Sequence, residues 1–72
     1  MPHITVHMMP GRSEAQKQDL TEALVKVLQT TVGAGEDSIS VEIVDQPNWP
    51  EYYRAEIAPN LERLQKIPGY TY

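Results

Sequence analysis

Pro2-His3-Ile4-Thr5-Val6-His7-Met8-Met9-Pro10-Gly11-Arg12-Ser13-Glu14-Ala15-Gln16 carries a strand, its end and the start of a helix in one stretch. From His3 to Met8 the side chains alternate, with Ile4, Val6 and Met8 on one parity and His3, Thr5 and His7 on the other. A period of two reads as a strand with one buried face. Pro10-Gly11 interrupts that period. Ser13 followed by Gln16 is a capping-box pattern for a helix start, and Glu14 adds a negative charge to the first turn.

Downstream, Leu20, Ala23, Leu24, Val27, Leu28 and Thr31 draw one apolar stripe down a helix of about five turns. Gly33 and Gly35 stand where that helix should end, because glycine accepts the left-handed backbone of a C-cap. A second strand is expected over residues 39–44, with Ile39, Val41 and Ile43 sharing one parity. Strand, helix, strand in this order is a βαβ unit, so the strands should be parallel and the crossover right-handed. The expected fold class is α+β: a β-α-β unit with two parallel strands and one long helix, forming a single domain over residues 1–72. Two strands leave open sheet edges, and a sheet needs three or more strands to be stable alone. Dimerisation into a four-stranded sheet, with both long helices on one face, would remove the deficit.

After Asp45 the texture changes. Gln46-Pro47-Asn48-Trp49-Pro50 is a turn-rich connector, with Asn48 or Trp49 available as a cap for a helix that Pro50 would open. A short C-terminal helix is expected over residues 51–58, with Pro59 opening a further one or kinking the first. Leu61, Leu64 and Ile67 space like a helical stripe, Pro68-Gly69 ends it, and Tyr70 to Tyr72 are available as an edge strand.

Composition narrows the function. The chain has 72 residues, no cysteine, and six Lys plus Arg against ten Asp plus Glu, for a net charge of −4. A chain this short hides only about 60% of its unfolded surface, so such chains usually add disulfides, a metal or a partner. Without cysteine there are no disulfides. His3 and His7 are too few for a closed zinc site and would lie roughly 13 Å apart on an extended strand, so no metal site is expected. The acidic balance argues against nucleic acid as partner. No apolar run approaches the roughly 20 residues of a membrane span, and the opening residues lack a signal-peptide pattern, so a cytoplasmic protein with no membrane partner is expected. A partner subunit is the expected stabiliser.

The sharpest chemical feature is Met1-Pro2. Methionine before a small residue is a good substrate for initiator-methionine removal, which would leave Pro2 with a free secondary amine. An α-amine titrates near 8, and an apolar pocket or a neighbouring cation lowers that value toward neutrality, where it can act as a general base. The plain alternative is that Pro2 only blunts a strand start.

Pro2-His3-Ile4-Thr5-Val6, then Gly11-Arg12-Ser13 before a long helix, then a hydrophobic strand from Ser38-Ile39, resembles the 4-oxalocrotonate tautomerase family. Trp49, Ala55-Glu56-Ile57-Ala58-Pro59 and Lys66-Ile67-Pro68-Gly69-Tyr70 look most like its short dimeric branch, so that nearly the whole chain is covered. The resemblance implies the tautomerase fold, a homodimer rather than a homohexamer, and cofactor-independent keto-enol tautomerisation of a small 2-keto acid or aryl keto compound. It casts Pro2 as the general base, Arg12 as the cation that binds a substrate carboxylate or carbonyl oxygen, and Trp49 as a wall of the pocket. A solvated arginine and a core anchor are the plain alternatives for Arg12 and Trp49. The hexameric branch carries a second arginine near the place of Ser40, which cannot supply a cation. Arg54 could compensate, or form a surface ion pair with Glu51 or Glu62. Tyr52 and Tyr53 could donate to an enolate or simply bury their rings. Two other functions stay open: hydration or dehalogenation of a small unsaturated acid with the same proline as acid, and a non-catalytic oligomeric ligand-binding module.

Overall fold

Parallel pairing of the two strands frames the molecule. In the computed structural model, which describes residues 1–72, β1 (His3–Met8) lies beside β2 (Ser40–Asp45) in the register His3↔Ser40 through Met8↔Asp45. Outside the register, the Ser40 N–H donates to the Pro2 carbonyl (3.1 Å) and the Gln46 N–H to the Met8 carbonyl (2.8 Å). The pleat divides the side chains as the alternation requires. Pro2, Ile4, Val6, Met8, Val41 and Ile43 are half-buried, while His3, Thr5, Ser40 and Glu42 are exposed.

Helix α1 (Glu14–Val32) makes the crossover. Ser13 Oγ accepts from the Gln16 N–H at 3.1 Å and Gln16 Oε1 accepts from the Ser13 N–H at 2.8 Å, a complete capping box. At the other end Gly33 takes φ 71°, a left-handed cap that a side chain would strain. The helix rests on β2, and Lys17 Nζ meets Asp45 Oδ2 at 2.9 Å to tie its first turn to the end of that strand. That hydrogen bond holds the Lys17 ammonium above its ordinary pKa.

The expected apolar stripe is only partly the one that packs. Lys17, Leu20, Thr21, Leu24, Val25 and Leu28 are half-buried, whereas Ala23, Val27 and Thr31 are exposed, Val27 at 54%. Periodicity sees an apolar arc wider than one small sheet can cover. The helix sits rotated toward Thr21 and Val25, and the Ala23–Val27 flank is left open.

The C-terminal third is helical backbone of changing pitch. Asn48 caps α2 (Trp49–Tyr52), its Oδ1 accepting from the Glu51 N–H at 3.2 Å, with Pro50 in the first turn. The coil widens over Tyr53–Ile57, where the Ala58 N–H reaches back to the Tyr53 carbonyl, then tightens over Ala58–Arg63. Pro59 lacks an N–H and opens the last segment. The backbone departs from helix at Asn60, and the Asn60 side-chain amide donates to the Glu56 carbonyl (2.9 Å). Tyr70 to Tyr72 form no strand, correcting that expectation; their rings pack on Tyr53 instead. No helix is long and apolar enough to cross a membrane.

Tyr53, 3% exposed, is the one buried residue. The chain presents 5438 Å² of accessible surface, roughly 900 Å² more than the about 4,500 Å² usual for a folded monomer of its 8.2 kDa mass. That surplus matches the about 800 Å² that one partner contributes to a standard interface. The radius of gyration, 13.9 Å, exceeds the about 11 Å of a compact chain of this length.

Candidate active site

The strands bring the residues singled out above to two ends of one sheet. Pro2, half-buried, stands at the N-terminal end, its carbonyl bonded to the Ser40 N–H. Ser40 Oγ lies 2.6 Å from His3 Nδ1, and His3 Nε2 lies 3.1 Å from Thr5 Oγ1, so the imidazole is held between two hydroxyls on the open sheet face. Ser40 is therefore occupied by His3.

Arg12 is at the opposite end. Gly11 turns the chain with φ 122°, a conformation few side-chain-bearing residues adopt. Arg12 then folds back so that Nη1 donates to the Met9 carbonyl at 2.9 Å, leaving the exposed guanidinium further donors. Trp49 follows β2 and, because the strands are parallel, belongs to this same end. From Pro2 to Met8 an extended strand spans about 20 Å, so Pro2 and Arg12 of one chain cannot touch one small substrate.

The Arg12 and Trp49 end holds the largest cavity, an open groove of about 480 Å³ lined by His7, Gln46, Asn48, Glu51, Tyr52 and Glu56 among others. Pro2 does not line it. Tyr52 stacks on His7 (centroids 4.8 Å, planes 23° apart) and meets Trp49 at 5.2 Å. Gln46 Nε2 lies 2.9 Å from His7 Nδ1; an amide N–H only donates, so Nδ1 accepts. Burial pushes the Tyr52 phenol above its usual pKa, with the Glu56 carboxylate adding to the effect. No local pattern in the sequence marks Tyr52 as the stacking partner of His7.

None of Arg12, Ser40, Trp49, Tyr53 and Arg54 lines this groove either. Tyr53 is enclosed by Tyr70 (5.6 Å) and Tyr72 (5.5 Å), which leaves its ring no surface to offer a ligand. Arg54 is exposed and makes no ion pair with Glu51 or Glu62. A residue outside the expected set contacts Trp49: the Trp49 Nε1–H donates to the Tyr70 hydroxyl at 3.0 Å.

Known proteins resemble this chain in sequence and fold. Residues 2–52 match the Tautomerase family, described as tautomerase enzyme. Tautomerase PptA of Pectobacterium carotovorum subsp. carotovorum is 42% identical over 76 residues, covering 100% of both chains. A probable tautomerase of Xylella fastidiosa is 37% identical over 97% of this chain and 89% of its own. Among solved structures, YwhB, a homologue of 4-oxalocrotonate tautomerase, superposes with a TM-score of 0.61 at 38% identity, over 62% of this chain and 74% of its own.

Proposed function

The chain belongs to the tautomerase enzyme family, and from that premise we propose that it interconverts the enol and keto forms of a small 2-keto acid or aryl keto compound. Pro2 is the general base once Met1 has been removed. The observation that carries this is the position of Pro2: half-buried at the open end of β1, with its carbonyl locked to the Ser40 N–H. In the processed chain its nitrogen is the α-amine, which titrates at about 7.7–8.0 unless perturbed. The pyrrolidine ring has no rotor, so the strand aims the lone pair.

The amine takes a proton from the enol hydroxyl, or in the reverse direction from the carbon beside the carbonyl, and returns it to the other position. The isomerisation relocates one proton and shifts the double bond from C=C to C=O with no net oxidation or reduction, so one base suffices and no cofactor is needed. Negative charge that develops on oxygen is met by the guanidinium of Arg12. Trp49 covers the apolar part of the substrate. With Ser40 held by His3 and no arginine in β2, one carboxylate on the substrate is the expected limit.

Arg12 and Trp49 serve the Pro2 of another subunit. Two equal sheet edges related by a two-fold axis run antiparallel, which sets the Pro2 end of one strand beside the Met8 to Arg12 end of the other. A homodimer of this kind makes a four-stranded sheet and uses the surplus surface. Phenylenolpyruvate ketonisation by wild type, Pro2→Ala and Arg12→Ala tests the assignment, after intact-mass measurement has established that the chain starts at Pro2. Loss of the base should lower kcat/KM by about 10²–10⁴-fold. Equal slow rates for all three proteins would remove the enzyme reading altogether.

A further inference from the structure

The tail after Arg63 contains no regular secondary structure, yet its rings are ordered against α2 and the segment that follows it. Tyr53, Tyr70 and Tyr72 form a triangle of edge-to-face contacts with centroids 5.5 to 5.6 Å apart. This is the preferred arrangement for aromatic pairs, and it is built on the one buried residue of the molecule. The triangle fixes the ring of Tyr70, and with it the direction of a hydroxyl that accepts from Trp49 Nε1 at 3.0 Å.

Trp49 has a single polar atom, a donor. Its other aromatic neighbour, Tyr52, touches it at a tilt of 34°, a contact with little directional preference. The Tyr70 hydroxyl therefore sets the rotation of the indole about its own axis. The sequence offers no sign of this, because Tyr70 is distant from Trp49 along the chain and follows the Pro68-Gly69 break.

We infer that Tyr70 is a positioning residue: the C-terminal tail is a strap, anchored on Tyr53, that fixes Trp49 in the orientation with which it walls the aryl end of the substrate site. The catalytic half of this inference rests on the tautomerase reading above; the structural half does not. The strap acts on binding of an aryl group and leaves the proton transfer at Pro2 untouched.

Trp49 is the only tryptophan in the chain, so intrinsic fluorescence reports on it alone. Tyr70→Phe keeps the ring in the triangle and removes only the acceptor. Tyr72→Phe is the control, since the Tyr72 hydroxyl has no hydrogen-bond partner. Tyr70→Phe should shift Trp49 emission and raise its quenching by acrylamide. It should also raise KM for phenylenolpyruvate roughly two- to fivefold, the equivalent of one partly exposed hydrogen bond, at unchanged kcat. Tyr72→Phe should alter neither. Unchanged emission in Tyr70→Phe, or equal changes in both variants, overturns the strap. A fluorescence change without a KM change overturns the link from Trp49 to substrate. Wild-type inactivity toward phenylenolpyruvate, with the fluorescence change intact, would fell the tautomerase reading while supporting the strap.

Discussion

Mixing two disabled subunits should restore activity. Within one chain about 20 Å of strand separates Pro2 from the end where Arg12 begins, and Arg12 is turned back onto the Met9 carbonyl. A site that uses both must draw them from different chains. Pro2→Ala and Arg12→Ala homodimers then carry one lesion in every site. In a mixed dimer one site collects both lesions, and the other has an intact Pro2 from one chain and an intact Arg12 from its partner. Random pairing of equal amounts makes about half the dimers mixed, so about a quarter of all sites are wild type in composition. The experiment is to unfold the two variants together, refold them, verify mixed dimers by native mass spectrometry, and follow phenylenolpyruvate ketonisation. About a quarter of the wild-type rate is expected, against the low sum of the two parents. Mixed dimers with no gain over the parents would mean that Pro2 and Arg12 act from the same chain, and the argument from strand length would be refuted.

Ser13→Ala removes the capping box of α1 and should cost about 1 kcal/mol per chain, seen as a lower urea midpoint at unchanged m; an unaltered midpoint would show that the cap contributes nothing. Val27→Asp places a charge on the open helix flank, where Val27 is 54% exposed. A surface with no partner would tolerate it, so a shift toward monomer in sedimentation is the outcome that marks this flank as an interface, and an unchanged dimer places the contact elsewhere. Burial raises the Tyr52 phenol above 10.0, with Glu56 reinforcing it. The folded chain keeps a proton that the unfolded chain releases, so this contribution to stability is complete below pH 10.0 and is lost as pH climbs through the folded value. Ultraviolet titration should show a late tyrosine that disappears in Tyr52→Phe; a titration identical in the variant would contradict the assignment.

Much of the fold was legible because it depends on neighbours in the chain. Alternation in β1, the Ser13 and Gln16 cap, and Gly33 as terminator are local relations, and each forms as expected. The C-terminal tail was not legible. A run such as Tyr70-Thr71-Tyr72 has strand-like composition, but its fate depends on whether a strand edge or an aromatic surface is within reach, and Tyr53 supplies the surface. Ser40 and Tyr53, expected at the site, are engaged by His3 and by the tyrosine triangle. Those engagements join residues remote in sequence, which no spacing rule can register.

The sequence by itself determined a β-α-β chain too small to bury its own core, with a proline ahead of the first strand and an arginine at the helix entry. Its signals were periodicity and capping, both set within a few residues. Only the tertiary structure decided how α1 is rotated on the sheet, which aromatic rings meet, and that Pro2 and Arg12 stand at opposite ends of one strand. Parity assigns a side chain to a face but says nothing of distance along the sheet. Distance is what keeps Pro2 and Arg12 of one chain from meeting.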